Sequence, residues 1–112
     1  MIEVKASIKN GERLKSYNAW NKEMPVAVKG VGPERDAFQL PPQVRVMIPT
    51  DTVLETAARI YMNPRVSLVK ALVLVSGVQL NEAGKLELYV QNMSESLVTI
   101  SNGEMLAYAV TS

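Results

Sequence analysis

The side chains able to carry chemistry in this chain are carboxylates, lysines, tyrosines, serines and threonines, because its 112 residues include no histidine and no cysteine. That absence removes Ser-His-Asp and Cys-His nucleophile systems, thiolate or imidazole zinc sites, and disulfides. At neutral pH a carboxylate or a lysine serves as a catalytic acid or base only after a large environmental shift or beside a hard cation. A carboxylate–magnesium site is therefore the one catalytic route the composition leaves open. The 12 basic and 11 acidic residues give a formal net charge of +1 and form no long run of either sign, so no electrostatic footprint for nucleic acid or an anionic membrane is present.

The elements that would position such groups are predicted to be strands. A hydrophobic fraction of 47% against 21% charged residues suits a folded globule, and the length suits a single domain over residues 1–112. Met1 to Lys9 alternates apolar and charged residues, a strand with one wet face and no secretory signal, and Asn10-Gly11 follows as a turn. Glu12 to Glu23 reads as an extended connector around Tyr17 and Trp20, with Trp20 a packing anchor in the core or at a subunit contact. A second strand is expected over Met24 to Val31, a short third over Phe38 to Leu40, and a clear one from Val44 to Ile48 that Pro49 stops. Thr50 to Met62 reads either as a helical turn behind an Asp51 cap or as a bent strand. Val66 to Val78 is nearly continuously apolar, with Lys70 its only charge, and reads as a buried strand or strand pair. After a turn at Asn81 to Gly84, Leu86, Leu88 and Val90 face inward while Glu87, Tyr89 and Gln91 face out. Turns at Asn92 to Ser96 and Ser101 to Gly103 separate two last strands, Leu97 to Ile100 and Met105 to Val110. Many short strands with such punctuation predict an all-β barrel or sandwich. The longest apolar run, Ala71 to Val75, is far below the roughly 20 residues that cross a bilayer, so the expected protein is made in the cytoplasm without a membrane partner.

Read in order, the chain carries Phe38-Gln39-Leu40-Pro41-Pro42, Ile48-Pro49-Thr50, Pro64-Arg65-Val66-Ser67-Leu68, Gly77-Val78, Asn92, and Ile100-Ser101-Asn102-Gly103-Glu104-Met105-Leu106-Ala107. This series resembles the trimeric dUTPase family over residues 38–110, with Met1 to Glu23 the least family-like part. The resemblance implies a β-clip fold, a jelly-roll-like all-β barrel commonly assembled as a threefold homotrimer. It also exposes a departure. The family's catalytic loop runs from Gly-Val/Ile into Ile-Asp, whose Asp activates water, whereas Gln79 and Leu80 stand here, followed by Asn81, Glu82 and Ala83. Leu80 accepts no proton and Gln79 is neutral at every relevant pH. Glu82 lies two residues further on, several ångströms from the position of the base. The family's glycine-rich arm over the nucleotide would follow the last strand, where this sequence reaches Ser112.

The expectation that follows is a non-enzymatic structural protein with no catalytic, cofactor-binding or metal-binding residue. In its specific form it is a homotrimeric phage capsid decoration (cement) protein on the outer surface of the virion head, partnered by its own copies and the major capsid protein. Decoration proteins include β-clip-related folds, and a threefold protein engages a threefold lattice site through every subunit, so weak contacts add by avidity. Met1 to Glu23 is the expected capsid contact or exchanged segment, and Tyr89 and Tyr108 are candidate surface markers. The alternative is a divergent nucleotide-binding or nucleotide pyrophosphatase protein, with Arg65 on phosphate and Asp36, Asp51 or Glu82 on a hydrated magnesium ion. Taken singly, such carboxylates are more often solvated turn residues or helix caps, and such arginines ion-pair partners. A third reading, a regulatory partner on the same scaffold, shares every sequence feature with the first.

Overall fold

The computed structural model describes residues 1–31, 33–56, 58–75, 79–80 and 84–111. Strands dominate it. In chain order they are β1 (Ile2–Lys5), β2 (Arg13–Leu14), β3 (Ser16–Tyr17), β4 (Val26–Ala27), β5 (Lys29–Val31), β6 (Glu34–Leu40), β7 (Arg45–Val53) and β8 (Ala58–Met62). One short helix, α1 (Pro64–Lys70), precedes β9 (Leu72–Leu74), β10 (Gln79–Leu80), β11 (Lys85–Asn92), β12 (Val98–Ser101) and β13 (Met105–Thr111). The largest sheet runs β10-β11-β7-β3, with β9 taking the far half of the same edge of β11 that β10 occupies. Smaller sheets are ordered β1-β13-β8, β12-β6-β5 and β2-β4, and none closes into a barrel among the described residues. The all-β class stands in this coarse form.

Alternation explains where the core sits. Leu86, Leu88 and Val90 of β11 are buried, and across the antiparallel ladder Leu88 meets Ile48 and Val90 meets Val46, both fully buried on β7. Phe38 of β6 lies opposite Ile100 of β12, and Val4 of β1 opposite Ala107 of β13, so three sheets feed one apolar cluster.

Pro49 does not stop its strand. β7 continues through it to Val53, and the ladder registers the insult instead: Glu87 pairs with Pro49 and Lys85 with Val53, a register shift where the prolyl nitrogen has no hydrogen to donate. The Pro49 carbonyl is taken by Ser7 N at 2.9 Å, and Thr50 is bridged by Ala6, so the N-terminal segment covers the irregular stretch. This extension also decides the ambiguous segment. Asp51 is a strand residue rather than a helix cap, and the chain from Thr50 to Met62 is two strands, β7 and β8, with a bend between.

The helix lies where a strand was expected. Asn63 has extended dihedrals and its Oδ1 accepts from Arg65 N at 3.2 Å, Pro64 occupies the first turn, and Ala71 ends the helix in the left-handed region at φ 50°. Val66 faces the core, whereas Leu68 and Val69 face solvent. Lys70 holds the helix down: its Nζ donates to Thr99 O at 2.6 Å and contacts both Glu104 oxygens, at 2.8 and 2.7 Å. The other strand expectations shift at their ends. The connector over Glu12 to Glu23 contains β2 and β3, Met24 to Val31 is divided into β4 and β5, and the third strand starts at Glu34.

Candidate interaction surface

Of the residues named for phosphate and magnesium chemistry, Asp36 and Asp51 are used structurally. Asp36 Oδ1 accepts from Asn10 N at 2.8 Å, which ties the first turn to β6. Asp51 pairs with Lys85 Nζ at 3.2 Å on the surface. Arg65 lies exposed on α1, and Glu82 lies outside the described residues, as do Gly77, Val78, Asn81 and Ala83. Gln79 and Leu80 sit in the backbone ladder, opposite Glu87 and Leu86. Among the described residues no group of three or more carboxylates is placed to hold a metal ion.

Asp51 nevertheless has a perturbed carboxyl, held below the usual carboxylate range first by a hydrogen bond from Ser7 and then by Lys85. A depressed carboxylate contributes stability that is complete above its unfolded-state pKa and lost as pH falls through the folded-state value. Exposure keeps that contribution small. Ser7→Ala is expected to raise the Asp51 pKa toward the ordinary value of 3.8, as followed by an NMR titration of its side-chain carboxyl; an unmoved titration would assign the depression to the lysine alone.

Another surface is built more deliberately. Beyond β3 the chain makes a turn closed by Asn18, whose Oδ1 accepts from Trp20 N at 2.9 Å and Lys22 N at 3.0 Å. Two backbone bonds, Asn18 N to Lys22 O and Asn21 N to Asn18 O, complete it, with Asn21 at φ 60°. This locked turn presents Trp20 to solvent with 81% of its surface exposed, which rules out its expected place in the core. The turn continues into the outward face of the largest sheet. There Tyr17 and Tyr89 meet edge to face across β7, ring centroids 6.5 Å apart at 87°, and Met47 stands opposite Tyr89. Arg45 lies in register between Tyr17 and Gln91 and reaches Asn21 Oδ1 at 3.5 Å, while its Nε is shut off from water with no acceptor among the described residues. A buried donor without an acceptor is unfavourable unless something else supplies one.

No family, no curated protein and no solved structure matches this chain. Its own geometry therefore carries the functional reading. Tyr89 is on the outward face of β11 as expected, but half-buried against Tyr17 rather than free. Sequence reasoning missed two features: the turn that fixes Trp20 and the exposed Leu68–Val69 stripe on α1. The Asn18-to-Asn21 spacing and the Asn63-Pro64 pair, a helix-start signature, were the available signals. Among the described residues no helix is long and apolar enough to cross a membrane.

Proposed function

We propose that the protein is a non-enzymatic assembly module: a homotrimer on a β-clip body that decorates a phage capsid, contacting the major capsid protein and stabilising the head. The observation that carries the binding role is Trp20, four-fifths exposed on a turn with its own hydrogen-bonded frame. A tryptophan presented on a hydrogen-bonded turn is placed for a partner to cover, and Trp, Tyr and Arg are the residues that anchor interfaces. Arg45 supports the same face, because its guanidinium reaches Asn21 there and lies in register with Tyr17, and arginine is among the residue types that anchor interfaces. The specific form, a threefold cement protein, is supported by the ordered motif series from Phe38 to Ala107 and by the replacement of the family's catalytic Asp with Leu80.

Trp20→Ala tests it. The variant should keep the parent's melting temperature, because the indole is exposed, yet bind expanded phage heads stripped of their decoration protein roughly tenfold or more weakly, as a lost hot-spot residue does. Unchanged binding would remove Trp20 as the anchor. Magnesium-dependent release of pyrophosphate from dUTP or dCTP that disappears in Arg65→Ala would replace the assembly role with the nucleotide-hydrolysing alternative.

A further inference from the structure

The outer side of α1 is apolar where a solvated helix would be polar. Leu68 is 86% and Val69 81% exposed, and with Arg65 they stand at i, i+3 and i+4, a single stripe. Beside it, the turn after β11 exposes Met93, Glu95 and Leu97; Met93 N donates to Ala71 O at 2.9 Å, and Val69 and Leu97 form two lips of one shallow groove. The patch therefore has two halves, a helical stripe ending in a cation and a turn carrying an anion. Neither Arg65 nor Glu95 has an ion-pair partner in its own protomer among the described residues.

We infer that the occupant of this patch is a second copy of the chain, with the α1 stripe of one subunit packed on the Met93–Leu97 turn of the next and Arg65 facing Glu95 across the seam. Charge complementarity argues for this occupant, since each half carries the sign the other lacks around an apolar centre. With the stripe of each subunit on the turn of the next and its own turn under the stripe of the one before, every contact runs in one direction, and such a head-to-tail interface closes into a ring when its rotation allows. The inference rests on the homotrimer reading and assigns its seam, leaving the Trp20 face directed outward to a partner.

Size-exclusion chromatography with light scattering on the intact chain tests it. Wild type should run as a trimer, and Leu68→Glu should raise the dissociation constant by roughly tenfold or more while the circular-dichroism melt of the dissociated chain is unchanged, because the side chain is almost wholly exposed. Arg65→Glu and Glu95→Arg should each weaken the ring, and the double variant should recover association because every seam then holds the inverted pair. A trimeric Leu68→Glu variant as tight as wild type, or single charge reversals without rescue, would overturn the seam and leave the homotrimer standing. Loss of head binding by Leu68→Glu with assembly intact would give the patch to the capsid and overturn the seam as well. A monomeric wild type would overturn the homotrimer itself.

Discussion

Asn92→Ala is expected to destabilise the fold by about 3 kcal/mol, the sum of two or more buried partners left without a hydrogen bond. Asn92 ends β11 on its buried face with no solvent exposure. Its Nδ2 donates to Leu40 O at 2.9 Å and Ser96 O at 2.8 Å, and its Oδ1 accepts from Ser94 N at 2.9 Å and Ser94 Oγ at 2.7 Å. One amide thus joins the end of β6 to β11 and shapes the turn leading to β12. Alanine removes all four bonds and takes a partner from both the Leu40 carbonyl and Ser94 N, while Ser96 O keeps the Ser94 Oγ donor at 3.0 Å, and a urea titration should show a lower midpoint with an unchanged slope. The nearly isosteric Asn92→Asp sharpens the test. Its second oxygen would face the Leu40 and Ser96 carbonyls, so burial and repulsion raise the new carboxyl's pKa in the folded state. With that pKa raised, the folded protein binds more protons than the unfolded chain between the two values, and stability falls as pH rises through that interval. The variant should therefore come closest to the parent in acid and lose ground toward neutrality. A flat difference between the two across pH 3 to 8, a window chosen around the carboxylate range of about 4, would show that the site is solvated.

Phe38→Ala should have an effect at least as large, about 3–5 kcal/mol, because a phenyl ring buried on all sides leaves a cavity that the surrounding sheets close only in part. Phe38 is 1% exposed on β6, opposite Ile100 of β12, and is the chain's one phenylalanine. The apolar cluster to which it belongs draws on β7, β11 and β13 as well as on its own sheet, so relaxation of the cluster would have to move several sheets together. Phe38→Leu keeps most of the volume and should lose less than about 1.5 kcal/mol. The contrast with Trp20→Ala is the useful measurement. Both delete a large aromatic, but only the loss at Phe38 should lower the thermal midpoint, by something on the order of 10 °C or more for a chain of this size. Similar shifts at the two positions would mean that the Trp20 turn supports the fold, which would undercut its assignment to a partner.

Particular residues show which parts of this architecture are legible before folding. The alternation along β11 identifies Leu86, Leu88 and Val90 as core, and the structure buries all three, because a strand with one wet face imposes period two on its side chains. Asn10-Gly11 and Ser101-Asn102-Gly103 locate turns, since Gly11 and Gly103 adopt φ 93° and 82°, values that side-chain-bearing residues rarely take. The apolar run from Val66 misleads for the opposite reason. It contains β9, but its first part folds as α1, where a cap, a proline and the Lys70–Glu104 tether overrule β-branched propensity and leave Leu68 and Val69 in water. Pro49 misleads as well, because local rules place a break there and only the bulge opposite Lys85 to Glu87 lets the strand continue.

At the level of function the division is similar. Missing histidine and cysteine are facts of composition that need no fold to exclude imidazole and thiolate chemistry within the chain. Where the remaining groups come to rest is decided by long-range contacts. Asp36 and Asp51 are given structural partners and Arg65 open solvent, while Trp20, an expected anchor in the core or at a subunit contact, is turned outward on a turn whose backbone N–H groups donate to Asn18 Oδ1. Side-chain type and period are properties of neighbours along the chain and can be read there. Which apolar residues are left uncovered depends on how sheets distant in sequence meet, and that is a property of the packed core alone.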